Sequence, residues 1–444
     1  MPLKDVIANF RIIFFLISWV SAISSVIWRS DTNFIANIGV ISFGIFLILT
    51  IGLIKRQSFL ILAFLIIACA LTLQQIPKFG DLFLAGKYIL IFAGLIPTMG
   101  LVRVTAGRLQ NVKKSQMLLS ELPKGSFASG FQITAHFFGA VINTGVFSML
   151  AAAMPINSST EYRRTAAEAA LRGMSSSATW SPFFVAFVVG QVYIDPDSSW
   201  IGLGVGLIMA SIFTIISIFL LNKRINYAQT KASVTCLAPV ISTLIIIIFL
   251  VLSSAILFGL TALSAVIVVM PLLVICYLFS RPAEIKPIAT ETFHYLKTNT
   301  DDVVVISFAM LVGFFVTNSP ETLKVFQDLT LLSMPDWCVL IFIPVVMSTL
   351  SLVGIHPVIS STILLSIFTT SNFNISGPLI MQAHLIGWCT GTMSSVTSLS
   401  VITCSTLFKV PSSKLCFGVN SYVATSFALI GGLLLATTNE LIKL

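Results

Sequence analysis

Two short polar runs interrupt an otherwise apolar chain. Residues 172–182 read RGMSSSATWSP and residues 391–400 read GTMSSVTSLS, each inside a stretch apolar enough to span a bilayer. Aligned on their methionines, MSSSATWS (174–181) matches MSSVTSLS (393–400). Ser175 then falls on Ser394, Ser176 on Ser395, Thr179 on Ser398 and Ser181 on Ser400, with Thr397 inside the second run. Hydroxyls, and the carbonyls freed where a helix stops, are neutral oxygen ligands for a small cation. A helix that restarts offers free N–H groups and a positive dipole end to an anion. Ser181-Pro182 reads as an N-cap followed by proline at the first helical position, so a helix is expected to break near Gly173 and restart at Pro182. Gly354, His356 and Pro357, in VGIHPV (353–358), read the same way, with glycine closing one arm and proline opening the next. Asn143, Thr144 and Gly145, in INTG (142–145), form a third such point. For a single serine, close helix packing is the simpler role. The punctuated sites favour ligand binding.

Ionisable groups inside apolar runs are few and expensive, so each is a functional candidate. Glu168 and Arg172 are four residues apart. They are expected either to pair on one helix face or, with Arg172 abutting the break, to balance a substrate's charge. His356, at the GIHP point, suits a substrate hydrogen bond or proton coupling. His136 is either a coupling group or a hydrogen-bonded core histidine. No HExxH, CxxC or Cys/His ligand cluster is present, which argues against zinc, disulfides and an intramembrane metalloprotease. No cofactor is expected beyond sodium or a proton as coupling ion, with a sodium site near Asn143 and Ser176.

The elements that carry these residues follow from composition. The chain is 57% hydrophobic and 9% charged, with mean hydropathy +1.01 over 444 residues. That excludes a soluble domain and implies an all-α polytopic membrane protein. A crossing needs roughly 20 apolar residues. Eleven such spans are expected, at about 10–28, 33–54, 57–73, 82–101, 165–190, 200–221, 233–256, 259–280, 302–318, 378–408 and 416–438. The first is read as a retained helix rather than a signal peptide. Segments 127–155 and 337–370 are the wrong length for one crossing or two. They are expected to be re-entrant hairpins, the alternative for 127–155 being one long tilted helix.

With the N-terminus in the cytoplasm and both hairpins returning to their own sides, most of the 25 Lys and Arg face inward. That is the positive-inside pattern, and it puts the C-terminus outside. The net charge of +9 is then a topology signal toward anionic lipid, not a nucleic-acid surface. The chain divides into N-terminal helices (1–56), a first repeat (57–221; hairpin 127–155, broken helix 165–190) and a second (233–438; hairpin 337–370, broken helix 378–408). Five crossings per half invert one half against the other, as in secondary transporters.

These elements resemble the ion transporter superfamily, most closely its divalent anion:sodium symporter branch of dicarboxylate, citrate and sulfate carriers. INTG resembles the Ser-Asn-Thr hairpin tip of that branch, keeping Asn143 and Thr144 but placing Ile142 where serine is expected. AAAMP (151–155) resembles the region closing the first hairpin, and AALRGMSSSATWSP resembles the broken helix. The second tip, GIHPVISST, lacks Ser-Asn-Thr. The resemblance implies an elevator-like transport domain of hairpins and broken helices on a homodimeric scaffold. It also implies a small anionic, carboxylate-bearing solute and a bacterial inner (plasma) membrane. The expected function is secondary active transport with sodium or proton coupling. The alternatives are a cation/proton antiporter of the same superfamily, for which only Glu168 is a suitable carboxylate, and a polytopic membrane enzyme, for which no large outer loop is present.

Overall fold

A computed structural model of the chain describes residues 3–28, 32–72, 78–123, 125–155, 157–221, 227–298, 300–318, 334–370 and 373–443. Among these the secondary structure is helical, without strands. Apolar runs surrounded by hydrocarbon must satisfy each backbone N–H and C=O within the segment, and the helix is the form that does so. Among the described residues, eight helices are long and apolar enough to cross a membrane. The chain has the make-up of an all-α polytopic membrane protein. The segment 319–333 lies outside the described residues, as do Arg29, Lys124, Lys223, Arg224 and Lys324.

The chain forms two compact units, and each takes a part of both sequence halves. The first comprises Met1–Thr105 and Phe249–Leu329. Its described helices are α1 (Leu3–Ile27), α2 (Thr32–Ile51), α3 (Arg56–Thr72), most of α4 (Phe79–Ala106), the second half of α12 (Ala238–Phe258), α13 (Ala262–Ser280), α14 (Ile285–Thr298) and α15 (Thr300–Thr317). Phe15 stacks on Phe46 with centroids 4.3 Å apart, fixing α1 on α2. Trp19 Nε1 donates to Thr98 Oγ1 at 2.9 Å. Arg11, buried, donates to the Lys297 carbonyl at 3.3 Å.

The second unit comprises Ala106–Ile248 and Thr330–Leu444. Its helices are α5 (Gln110–Ser120), α6 (Phe127–Ile142), α7 (Gly145–Ala152), α8 (Thr160–Ser177), α9 (Val185–Tyr193), α10 (Pro196–Leu221), α11 (Tyr227–Thr235), the first half of α12, α16 (Asp336–Leu352), α17 (Pro357–Thr370), α18 (Gly377–Ser394), α19 (Leu399–Phe408), α20 (Ser412–Cys416) and α21 (Val419–Lys443). Packing within it is reciprocal. The arm α6 lies on α8, and α16 lies on α18. The short helix α7 meets α19, and α17 meets α9. Thus α7 and α17 each pack on the helix that follows the break in the other half. At 16 residues, α6 is about 24 Å long, short of a ~30 Å crossing. All of its residues but Phe137 are buried, so it belongs to the unit's core.

The segment 127–155 is not one continuous helix: it is interrupted at Asn143 and Thr144. The expected break at Gly173 is corrected. α8 runs through Gly173 to Ser177, and the next helix begins at Val185 rather than Pro182. Gly173 is needed for a different reason. A Cβ there would overlap the Gln132 carbonyl and approach the Ala135 Cβ to 2.8 Å, so glycine lets α8 lie directly on α6.

Candidate functional site

Four points of interruption lie within the second unit: two tips, Asn143–Thr144 and Val353–His356, and two breaks, 178–184 and 395–398. Each tip holds a backbone in the left-handed region. Asn143 has φ +50° and Gly354 has φ +93°. Glycine tolerates this freely, and asparagine better than most residues with a Cβ. Each tip is also tied to the break that follows it in its own half. Ser181 Oγ donates to the Ala140 carbonyl at the end of α6. Thr397 Oγ1 donates to the Gly354 carbonyl at 3.2 Å.

The first break is held by three neighbours. Ser181 Oγ also accepts from Phe183 N at 3.2 Å, so its cap-like bond serves the turn and not a helix start at Pro182. Trp180 Nε1 donates to His136 Nε2 at 3.2 Å. That bond makes Nε2 the acceptor, so Nδ1 carries the proton and donates to Ser176 Oγ at 2.9 Å. Ser176 in turn donates to the Gly173 carbonyl at 2.8 Å. His136 is therefore a neutral, fully satisfied imidazole, and the Ser176 hydroxyl is shared between it and Gly173. From the other half, Gln382 Nε2 donates to the Thr179 and Gly202 carbonyls, both at 2.7 Å. His384 donates from Nε2 to the Ala186 carbonyl at 2.8 Å and accepts from Ser361 Oγ at 3.0 Å.

The second break is held mainly by its own residues. Ser395 Oγ lies 2.9 Å from Thr397 Oγ1 and accepts from Thr397 N at 3.3 Å. Ser398 Oγ donates to the Thr392 carbonyl at 2.9 Å, and Ser394 Oγ to the Thr390 carbonyl at 2.7 Å. Thr179 Oγ1 likewise donates to the Ser176 carbonyl at 2.8 Å. Pro357 opens α17 as expected, and His356 acts there as a cap, its Nδ1 accepting from Val358 N at 3.2 Å.

Ligand capacity is thus unevenly spread among the expected residues. The side chains of Asn143 and Thr144 make no hydrogen bond within the described residues, although Thr144 and Gly145 are buried. Ser175 is fully buried and its hydroxyl has no partner. Among the described residues His356 makes no hydrogen bond through Nε2. Ser176, Thr179, Ser181, Ser394, Thr397 and Ser398 use their donor protons on nearby carbonyls and keep only acceptor lone pairs, while the Ser395 hydroxyl is engaged with Thr397. Among the described residues no three His, Cys, Asp or Glu side chains converge on a metal position. Of the pair expected to hold sodium, Asn143 is open and Ser176 is engaged.

The expected Glu168–Arg172 pair is corrected. Glu168 Oε1 is bound by Arg164 Nε at 2.9 Å, one turn earlier on α8. Buried Arg172 donates from Nε to Gln132 Oε1 at 3.3 Å and from one Nη to Asn420 Oδ1 at 2.7 Å. The amides Gln132, Gln382 and Asn420 were missed by the sequence reading. Their signal was a lone amide in an apolar helix, a polar group that must find a partner across helices. No protein-family model matches this sequence, and no curated protein is similar to it, so the functional reading rests on this geometry.

Proposed function

We propose that the protein is a secondary active transporter of a small anionic, carboxylate-bearing solute, coupled to sodium or protons. In this reading the second unit carries the site and moves relative to a frame formed by the first, as in an elevator. The observation that carries it is the paired arrangement of tips and breaks. Two tips with left-handed backbone are each bonded to the following break, and α7 and α17 each pack on the helix that follows the break in the other half. Paired discontinuities of this kind are how transporters place backbone dipoles and carbonyls at mid-membrane. The short, buried arms α6 and α7 support re-entrant hairpins, and with them eleven crossings in an inverted repeat. The charge bias supports a cytoplasmic N-terminus and an outer C-terminus, and the family resemblance a bacterial inner membrane. A homodimer follows from the family resemblance alone. Glu168 is occupied by Arg164, which weakens the cation/proton antiporter alternative.

The test is uptake of labelled mono- and dicarboxylates into proteoliposomes, with imposed sodium or proton gradients. Saturable, gradient-dependent anion flux is the expected result. Flux of cations or neutral solutes alone would overturn the reading. Asn143 separates side chain from backbone. Asn143→Gly keeps the φ of +50° accessible while deleting the amide, and is expected to raise the half-saturation concentration about tenfold or more. Wild-type uptake by Asn143→Gly would remove tip 1 from the site.

A further inference from the structure

Away from the tips and breaks, α10 and α21 enclose a groove of about 300 Å³. The helices run antiparallel along it. Met209 lies beside Gly431, and Phe213 stacks on Phe427 with centroids 4.1 Å apart. At the opposite end, Leu220 of α10 and Val419 of α21 form the walls. The lining is almost wholly apolar. Ser217 is among its few polar residues, and its hydroxyl is already engaged by Gln132 and by the Thr214 carbonyl. Such a slot, on helices long enough to span a bilayer, suits a flexible hydrocarbon chain and offers few groups to a polar solute.

The chemistry changes at the Leu220–Val419 end. Lys414, on α20 just before α21, is exposed. The Arg164 guanidinium lies against Gly418, the residue preceding Val419, and only its Nε is used by Glu168. The N-terminal dipole end of α21 opens at the same place. An apolar slot with a basic mouth has the charge pattern of a lipid-headgroup site between transmembrane helices.

We propose that this groove binds one anionic phospholipid of the surrounding bilayer, with an acyl chain along α10 and α21 and its headgroup phosphate at Lys414 and Arg164. The proposal does not depend on the transport reading. A zwitterionic lipid offers the same chains but a headgroup without net charge, so the basic mouth favours the anionic one. A second copy of this chain would bury the apolar walls yet bring its own Lys414 and Arg164 to the interface, where like charges oppose association.

The test is native mass spectrometry of the full-length protein after exchange into phosphatidylglycerol or phosphatidylcholine. One retained phosphatidylglycerol per chain is expected, with at least tenfold less phosphatidylcholine. Ser426→Trp, which fills the groove from an exposed position, should reduce phosphatidylglycerol retention about tenfold. Lys414→Gln should reduce it several-fold and leave phosphatidylcholine unchanged. Ile430→Trp is a second block should the first variant not assemble, and Ile245→Trp, on the exposed face of α12, controls for added bulk. Equal retention of the two lipids overturns the proposal, as does undiminished phosphatidylglycerol in a folded blocked variant. A dimer that dissociates in the blocked variants while no lipid is retained would assign the groove to a second copy instead.

Discussion

The two breaks come from matching sequence but are held very differently. The first, at 178–184, is clamped from α6 through Ser181 and His136, and from α18 through Gln382. The second, at 395–398, is bound chiefly to itself, with Thr397 as its side-chain tie to tip 2. Bonds from several elements fix a backbone against all of them at once. A segment bonded to itself can move as a piece. The first tip and break therefore form the rigid side of the candidate site, and the second tip is the side free to adjust. Val353, at that tip, is 74% exposed, against a buried Thr144 at the first.

The largest expected effect contrasts the glycines before each break. An added Cβ at Gly173 meets backbone, the Gln132 carbonyl, and cannot be relieved without moving α6. At Gly391 it meets the Ser351 hydroxyl, which can rotate, and Pro357 Cγ at 3.2 Å. Gly173→Ala should cost roughly 3 kcal/mol and Gly391→Ala roughly 1 kcal/mol, the range of overpacking strain. Unfolding of the purified variants by heat or detergent measures both. Equal losses would break the comparison.

A smaller effect sharpens it. Gln382→Met removes the two bonds that pin the Thr179 and Gly202 carbonyls, an expected loss of about 1–3 kcal/mol. Thr397→Val removes one bond at the second tip, about 0.5–1.5 kcal/mol. Hydrogen exchange should localise the changes, with faster amides near 178–184 for the first variant and near 353–357 for the second. Faster exchange at both places in either variant would mean that the two sides are coupled rather than distinct.

Much of this architecture was legible from punctuation. Gly354 followed by Pro357 announced both the left-handed turn and the helix start, because each residue has a backbone property no neighbour can supply. Asn143 and Thr144 were legible for a similar reason. Gly173 misled, since glycine serves close approach as readily as helix termination, and only the position of α6 decides between them. Ser181-Pro182 misled because its hydroxyl found the Ala140 carbonyl, a partner 41 residues away. The Glu168 pairing was undecidable in sequence: Arg164 and Arg172 both stand four residues from it. Position in the fold chose Arg164, near the start of α8, and left Arg172 to amides on α6 and α21.

The bases of the two turning segments extend the contrast to its smallest expected effect. At the first, the joins are buried or aromatic. Ser129 Oγ lies 2.8 Å from Ser233 Oγ, and Phe127 packs on Tyr162 with centroids 4.5 Å apart. At the second, the C-terminal turn of α21 reaches back. Lys443 Nζ lies 2.7 Å from Asp336, the first residue of α16, and 2.8 Å from Glu440. Buried Asn439 accepts from Ser376 N at 3.1 Å and donates to the Asn374 carbonyl at 3.3 Å. The Lys443 bonds are exposed and screened by salt, and such pairs contribute little. Asn439 is shielded from both. The hydrogen bonds that Lys443 donates to Asp336 and Glu440 hold its ammonium pKa above the usual value of 10.5. A raised pKa stabilises the folded state fully below about 10.5 and loses that contribution as pH rises through the folded value. Lys443→Met should therefore lower the melting temperature slightly at neutral pH and low salt. The difference should fade in high salt and again in strong alkali. Asn439→Ala should cost more, with little dependence on salt. A salt-insensitive loss for Lys443→Met would mean that its methylene packing, not its charge, closes this base.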